Sequence, residues 1–358
     1  MNDEIRKSQR PDVSIVIPVF DVKEEYLRQC LDSVIGQSLS DIEIICVSDG
    51  APEKNIKVLE EYAGRDSRVK LIKQENSGVC VARNRAFNEA LGRYITCVDA
   101  DDSITENNIE EAVEFADENS LDVLMWGMNL CFPNKTVRFS PYVEDIPLFT
   151  EKQKEEVSLK CLVGILPFYV TPPASDDAAG SACGKLYRAD FLKENNLNYT
   201  PGLKRAEDMF FNLQVFSCAQ RIGNLGRIYY NYRQNAQSAT YMYRENGIEV
   251  FTDSLNAIKK FITDSNKSEL FFQVYYMRCM FFFLESMDMD YFNKNNTKPL
   301  SQRLAQMKEV ASKEPYKEAF EKLTGRYLTF ARKIPLFLIK HNMMFTLACF
   351  YKVFTLIK

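Results

Sequence analysis

Short apolar runs alternate with amphipathic stretches over the first third of the chain. Val13–Phe20 (VSIVIPVF), 42–47, 69–72, 94–98 and 122–128 read as five strands, each apolar nearly throughout. Between the first two, Leu27, Leu31, Val34 and Ile35 recur at helical spacing, which predicts a helix over 24–35. Further helices are predicted over 54–62 and 79–91, and Thr105 is placed as the N-cap of a fourth. Strands that alternate with helices imply right-handed crossovers and a parallel sheet, and strands without polar alternation imply a sheet covered on both faces. The expected fold class is therefore α/β, with a Rossmann-like, mostly parallel sheet and helices on both faces.

Beyond about residue 130 the pattern is less regular. A Pro-rich loop (Pro167, Pro172, Pro173) is followed by SDDAAGSACGK. From about 246 the chain reads as helical. The stretch 269–287 is rich in Phe, Tyr and Met, but Glu269, Gln273, Arg278 and Glu285 break it up, so it is expected to be a core or interface helix and not a membrane span.

Composition narrows the chemistry. The 358 residues carry a net charge of -4, which gives no nucleic-acid footprint. The start is polar and without an apolar core, so no secretory signal is expected and the chain is read as cytoplasmic. Ten scattered cysteines form no C-x-x-C pair and read as buried free thiols. The single histidine, His341, argues against His-based metal sites and a Ser-His-Asp triad.

Ligands of open α/β sheets bind beyond the carboxyl ends of the strands, and here those ends are polar. Pro18, Phe20 and Asp21 follow the first strand, Asp49 and Gly50 the second, Asn76 and Gly78 the third, and Asp99, Asp101 and Asp102 the fourth. Three carboxylates within four residues repel one another unless a cation compensates, and Mg²⁺ or Mn²⁺ suits such oxygens. A plainer reading makes them an acidic turn capping the helix near Thr105. Asp49-Gly50 reads equally as a turn. Glu207 and Asp208 precede the apolar positions Met209, Phe210, Leu213 and Phe216, so they are either the acidic first turn of a helix or a carboxylate pair that includes a general base. GSACGK resembles a phosphate-binding loop but has too few residues between its glycines and Leu186 after the lysine. DADDS also resembles the nucleophile motif of haloacid-dehalogenase-type phosphatases, whose later Gly-Asp pair this chain lacks.

Taken in order, VSIVIPVFD, IEIICVSDGAPEKN, NSGVCVARNRAFNEALGRYITCVDADD and AEDMFFN resemble the family 2 glycosyltransferases of GT-A fold over about residues 11–240. CGKLYRADFL and YYNYRQNAQSAT resemble bacterial members that build surface polysaccharide. The resemblance implies an inverting, metal-dependent enzyme that moves a hexose or N-acetylhexosamine from a nucleotide-diphospho-sugar, by family prevalence a UDP-sugar, to a glycan or lipid-linked glycan acceptor. By position, Pro18, Phe20 and Asp49 would line the nucleoside pocket, with Asn76 and Gly78 at its floor. Arg83 would brace the site and Arg233 would reach the diphosphate. Asp99 and Asp101 match the family's DxD, with Asp101 the expected ligand of Mn²⁺ or Mg²⁺ and Asp102 its competitor. Asp208 matches the base, with Glu207 beside it. Ser48 and Ala51 depart from the common pattern of Asp or Asn before Asp49 and Ser after Gly50. The expected division is a transferase domain over 1–245, with a donor part about 11–130 and an acceptor part about 131–245, and a helical region over 246–358. The alternatives are the phosphatase and a catalytically silent glycan-binding subunit of the same fold. The C-terminal run mixes basic with large apolar residues and has no acid after Glu321, so it is expected to contact an anionic membrane surface or to pack on protein, its own or a second subunit's.

Overall fold

The computed structural model describes residues 10–163, 179–234, 243 and 245–357, with no side chains described from 353 onward. The Pro-rich loop and the end of YYNYRQNAQSAT lie outside the described residues. The chain forms two compact units. The first comprises the described residues of 10–163, 179–203 and 207–234, and the second comprises 204–206 and the described residues from 243 on.

The first unit holds a nine-stranded sheet of order β3-β2-β1-β4-β8-β6-β9-β5, with β7 paired to β6. Strands β1 (Val13–Val19), β2 (Ile42–Asp49), β3 (Val69–Gln74) and β4 (Tyr94–Cys97) are mutually parallel. Ile15, Ile17, Ile44, Cys46, Ile45 and Val47 are all fully buried, as expected of strands covered on both faces. Helices α1 (Glu24–Ile35), α2 (Glu53–Arg65) and α3 (Val79–Glu89) connect them. Helix α1 buries Leu27, Leu31 and Val34 at the predicted spacing.

The expectation of a mostly parallel sheet with flanking helices holds. The second half of the sheet departs from simple alternation. Strand β6 (Val123–Phe132) lies parallel to β9 (Ile222–Arg233), but β8 (Lys185–Arg188) is inserted antiparallel between β4 and β6. Sequence periodicity reports a strand's burial but not its neighbour, so this insertion was not visible in it.

One local expectation is overturned. Thr105 does not cap a helix. Residues Ser103–Ile104 form β5, paired antiparallel with β9 at Asn231 and Tyr230. Helix α4 (Asn108–Glu118) starts later with Asn107 at its N-cap position, and the Thr105 hydroxyl is buried without a partner. The acids Asp99–Asp102 are thereby separated from α4 by a strand, which removes the capping reading.

After β7 (Lys135–Phe139), α5 (Glu151–Leu162) starts at a capping box between Thr150 and Gln153, and α6 (Ala189–Glu194) follows β8. Helix α7 (Glu207–Cys218) begins at the acid pair. The second unit is helical: α8 (Ile248–Asp264), α9 (Glu269–Ser286), α10 (Leu300–Ala311), α11 (Tyr316–Lys322), α12 (Phe330–Lys340) and α13 (Met344–Ile357). Eleven residues of α9, among them Phe271, Tyr275 and Phe283, are buried, so it is a core helix as its interrupted pattern predicts. No disulfide joins the ten cysteines, and seven of them are buried.

Candidate active site

The strand order places β1 between β2 and β4, with β2 reached on one side and β4 on the other. Such a reversal opens a crevice beyond the carboxyl ends of the strands. Pro18 and Phe20 stand at the end of β1, and Phe20 is 53% exposed, available as an apolar platform.

Asp49 is the last residue of β2 and is buried. Its Oδ1 accepts from the Ser77 amide (2.8 Å) and from Gln74 Nε2 (2.8 Å), and its Oδ2 accepts from the Gly78 amide (2.9 Å). The carboxylate therefore pins the loop that carries Asn76 and Gly78 against the end of β2. Gly50 makes that approach feasible. Its φ is +68°, and a Cβ there would lie 2.8 Å from Asn76 Cβ. Gly78, at φ +88°, stands at the N-cap position of α3. Asn76, Ser77 and Gly78 are left exposed at the crevice edge.

Arg83 joins the two acidic groups singled out in the sequence. The side chain is 3% exposed. Its guanidinium donates to Asp208 Oδ1 (2.5 Å) and to Asp99 Oδ1 (2.9 Å), and it lies over the Tyr199 ring at 5.1 Å. Burial opposes its charge, but Asp208, Tyr199 and Asp99 hold its pKa well above the usual range. Asp99 at the end of β4 and Asp208 in the first turn of α7 are thus held on one cation, although 109 positions separate them in the chain.

Asp101 and Asp102 differ sharply. Asp102 is 1% exposed, and both its oxygens are engaged. Oδ2 accepts from the Tyr230 hydroxyl (2.6 Å) and Oδ1 from the Arg233 amide (2.7 Å). The Tyr230 hydroxyl in turn accepts from the Asp99 amide (3.1 Å). Asp101 makes no side-chain bond to another described residue. Burial and then the charge of Asp99 push its carboxyl up. Arg233 is oriented by Asp101 O (2.9 Å), by Gln29 Oε1 (2.6 Å) and by the Tyr26 ring, 4.1 Å from its guanidinium carbon.

Asp208 keeps 28% of its side-chain surface open. Burial pushes its carboxyl up to about 7. Arg83 opposes that shift, while Glu207 and Asp99 add to it. A carboxylate that titrates near neutrality is suited to taking up a proton. Asn212, one helical turn on and fully buried, donates to Asp208 O (2.9 Å) and to Ser181 O (2.9 Å) and accepts from the Tyr187 hydroxyl (2.8 Å), which fixes this turn of α7. The phosphate-loop look-alike is excluded here. Lys185 starts a strand, not a helix, and its ammonium donates to Ser181 O and Cys183 O of its own turn.

Every predicted site residue lies in the first unit. Sequence reasoning missed Tyr26, Gln29, Tyr199, Asn212 and Tyr230. Only Asn212 left a signal, standing four residues past Asp208 on the same helical face.

A doubly wound sheet with an acidic crevice at its switch point, closed by a strand returning from the second half, is the GT-A arrangement of nucleotide-sugar transferases. Residues 14–169 match the model for glycosyl transferase family 2. The chain is 33% identical over 230 residues to the glycosyltransferase EpsJ of Bacillus subtilis, which covers 64% of this chain and 63% of EpsJ. It is 28% identical over 258 residues to a poly(ribitol-phosphate) beta-glucosyltransferase of Bacillus spizizenii, 69% of this chain and 37% of that one. The chain thus spans less than two thirds of the length of these curated relatives. Among solved structures, TarS 1-349 of S. aureus in complex with UDP-GlcNAc shares the fold, with a TM-score of 0.65 and 20% identity over 96% of this chain and 91% of TarS 1-349. Residues 14–169 thus match family 2 glycosyltransferases, and the unit that holds them has the GT-A fold.

Proposed function

We propose that the protein is an inverting glycosyltransferase that moves a hexosyl or N-acetylhexosaminyl group from a nucleotide-diphospho-sugar, a UDP-sugar, to a hydroxyl of a surface glycan or its lipid-linked precursor. The observation that carries this reading is Arg83, buried between Asp99 and Asp208, which fixes a general base beside the acidic end of β4. Two relatives named as poly(ribitol-phosphate) glycosyltransferases, and the UDP-GlcNAc bound to TarS, support the donor and acceptor class.

Asp208 takes the proton of the acceptor hydroxyl as that oxygen forms its bond to the anomeric carbon. The bond from that carbon to the diphosphate breaks on the opposite face, and the nucleoside diphosphate leaves with the electron pair. A single displacement inverts the anomeric centre. Phe20 and the Asn76–Gly78 loop hold the nucleoside, and Arg233 faces the diphosphate. Glu207 raises the basicity of its neighbour.

The donor set fits a hard divalent cation, Mn²⁺ or Mg²⁺. Among the described residues no three His, Cys, Asp or Glu side chains converge, but such ions are commonly held by one or two carboxylates together with substrate phosphates and water. Asp101, with its free and electrostatically strained carboxylate, would be the main ligand, and Asp99 would assist. Asp102, engaged by Tyr230 and Arg233, is placed as a support. When bound, the ion would offset the charge that develops on the leaving diphosphate.

The test is a panel of UDP-, GDP- and dTDP-sugars with Mn²⁺, read first as thermal stabilisation and then as transfer to a glycan acceptor. Stabilisation by one donor and release of its nucleoside diphosphate only with acceptor present is the expected result. Binding without turnover would instead mark a silent glycan-assembly subunit, and hydrolysis of phosphomonoesters without acceptor would mark a phosphatase.

A further inference from the structure

The last two helices of the second unit each present two faces. Helix α12 buries Pro335, Leu336, Leu338 and Ile339. Its opposite face carries Phe330, 82% exposed, and Phe337, 56% exposed, seven residues and about two turns apart. Lys333 and Lys340 flank them on the same face, both exposed, and neither forms an ion pair among the described residues; the Lys340 ammonium donates to Leu323 O (3.1 Å) and keeps its charge without an acidic partner. Helix α13 repeats the design. Met344, Leu347 and Ala348 are buried, and the Tyr351 hydroxyl anchors the helix to Asp288 (2.6 Å). Phe345, 61% exposed, shares the outward face with Cys349 and Lys352. Met343, 40% exposed, lies between the two helices.

A helix that has already buried one apolar face gains nothing within its own fold from a second row of phenylalanines. Single exposed apolar residues are ordinary on protein surfaces, but Phe330 and Phe337 form a row spaced to one helical face and flanked by lysines. The charge pattern selects the occupant. Seven Lys and Arg residues and no Asp or Glu follow Glu321, in a chain whose net charge is -4. A surface of aromatic rings between lysines complements an interface that is apolar below an anionic layer. No described helix is long and apolar enough to cross a membrane, so these helices meet such an interface from one side.

We infer that the outward faces of α12 and α13, formed by Phe330, Phe337, Phe345, Lys333 and Lys340, dock this protein on the surface of an anionic lipid bilayer. The ring side chains enter the headgroup boundary, and the lysines meet the lipid phosphates. This contact goes beyond the sugar-transfer reading and stands whatever the donor proves to be.

Co-sedimentation of the full chain with vesicles tests it, with no turnover readout. The intact chain is expected to pellet with vesicles of 30% phosphatidylglycerol in phosphatidylcholine, to stay in solution with phosphatidylcholine alone, and to be released by 0.5 M salt. Lys333→Glu with Lys340→Glu should weaken partitioning at least about tenfold, since each basic residue near an anionic surface is worth about a factor of five. Phe330→Ser with Phe337→Ser and Phe345→Ser should abolish it while the circular dichroism spectrum of the folded chain is kept, because all three side chains are more than half exposed. Failure of the intact chain to bind anionic vesicles overturns the proposal, as does equal binding to neutral ones. So does a triple-Phe variant that binds normally but sediments at a lower mass, which would make the surface a contact between copies of the chain.

Discussion

Arg83 neutralises two carboxylates from inside the protein, and the cost of removing it follows from where it sits. Arg83→Met leaves Asp99 and Asp208, both part-buried, without the buried cation they share. Loss of one partner from a buried pair typically costs about 3 kcal/mol or more, so chemical denaturation should show at least that drop. Asp208→Asn keeps the shape but cannot take a proton. Turnover should fall by roughly 10²-fold or more with the donor KM unchanged. If Glu207→Gln is the inactive variant instead, the roles within the pair are reversed. The pH profile has a definite sign. The base works only when ionised, and burial has raised the Asp208 carboxyl to about 7, so kcat/KM should rise with pH and level off above neutrality. A profile flat between pH 5 and 8 would show that another group takes the proton.

Loop 74–78 depends on a backbone detail at the end of β2. Gly50 is in the left-handed region and in contact with Asn76, so Gly50→Ala adds both strain and a clash. The expected result is a loss of about 1–3 kcal/mol in stability and a raised donor KM, read by calorimetry and initial rates. An unchanged KM would mean that this loop does not shape the donor pocket. The elements here also show what a single sequence can and cannot convey. Strands β1, β2 and β4 and helices α1 to α3 were legible because local burial dictates their pattern, and β3, an edge strand that buries only Val69, because Val69, Leu71 and Ile72 are apolar. The predicted ends of β2 and β3 fall two residues short, where the strands run on into the polar crevice, as at Ser48 and Asp49. Strand β5 was invisible because two residues cannot show a period, and only pairing with Tyr230 and Asn231 makes Ser103–Ile104 a strand. Asp99, Asp101 and Asp208 were found because acids at strand and helix ends stand out. Tyr199 and Tyr230 were not, because a buried tyrosine looks like any core aromatic until its hydroxyl finds a partner.

For the molecule as a whole, donor binding and metal binding should register as one linked event. A UDP-sugar with Mn²⁺ at about a hundred times its Kd adds roughly 2.7 kcal/mol to the stability of the folded form. Asp101→Ala should abolish the resulting rise in melting temperature while leaving the unliganded melting temperature in place. Full stabilisation by donor in EDTA would remove the metal from the account. The strand order also bears on how the chain is made. Strands β1 to β4 find all their parallel partners within the first hundred residues. Strand β6 does not. When residue 139 leaves the ribosome, β6 can form only its hairpin with β7, because β8 and β9 have yet to be made. At synthesis rates of about 5–20 residues per second, an apolar strand edge stays open for several seconds. The nascent protein therefore passes through a stage in which half its sheet is finished and the other half needs shielding, and a ribosome that pauses between residues 132 and 222 prolongs it.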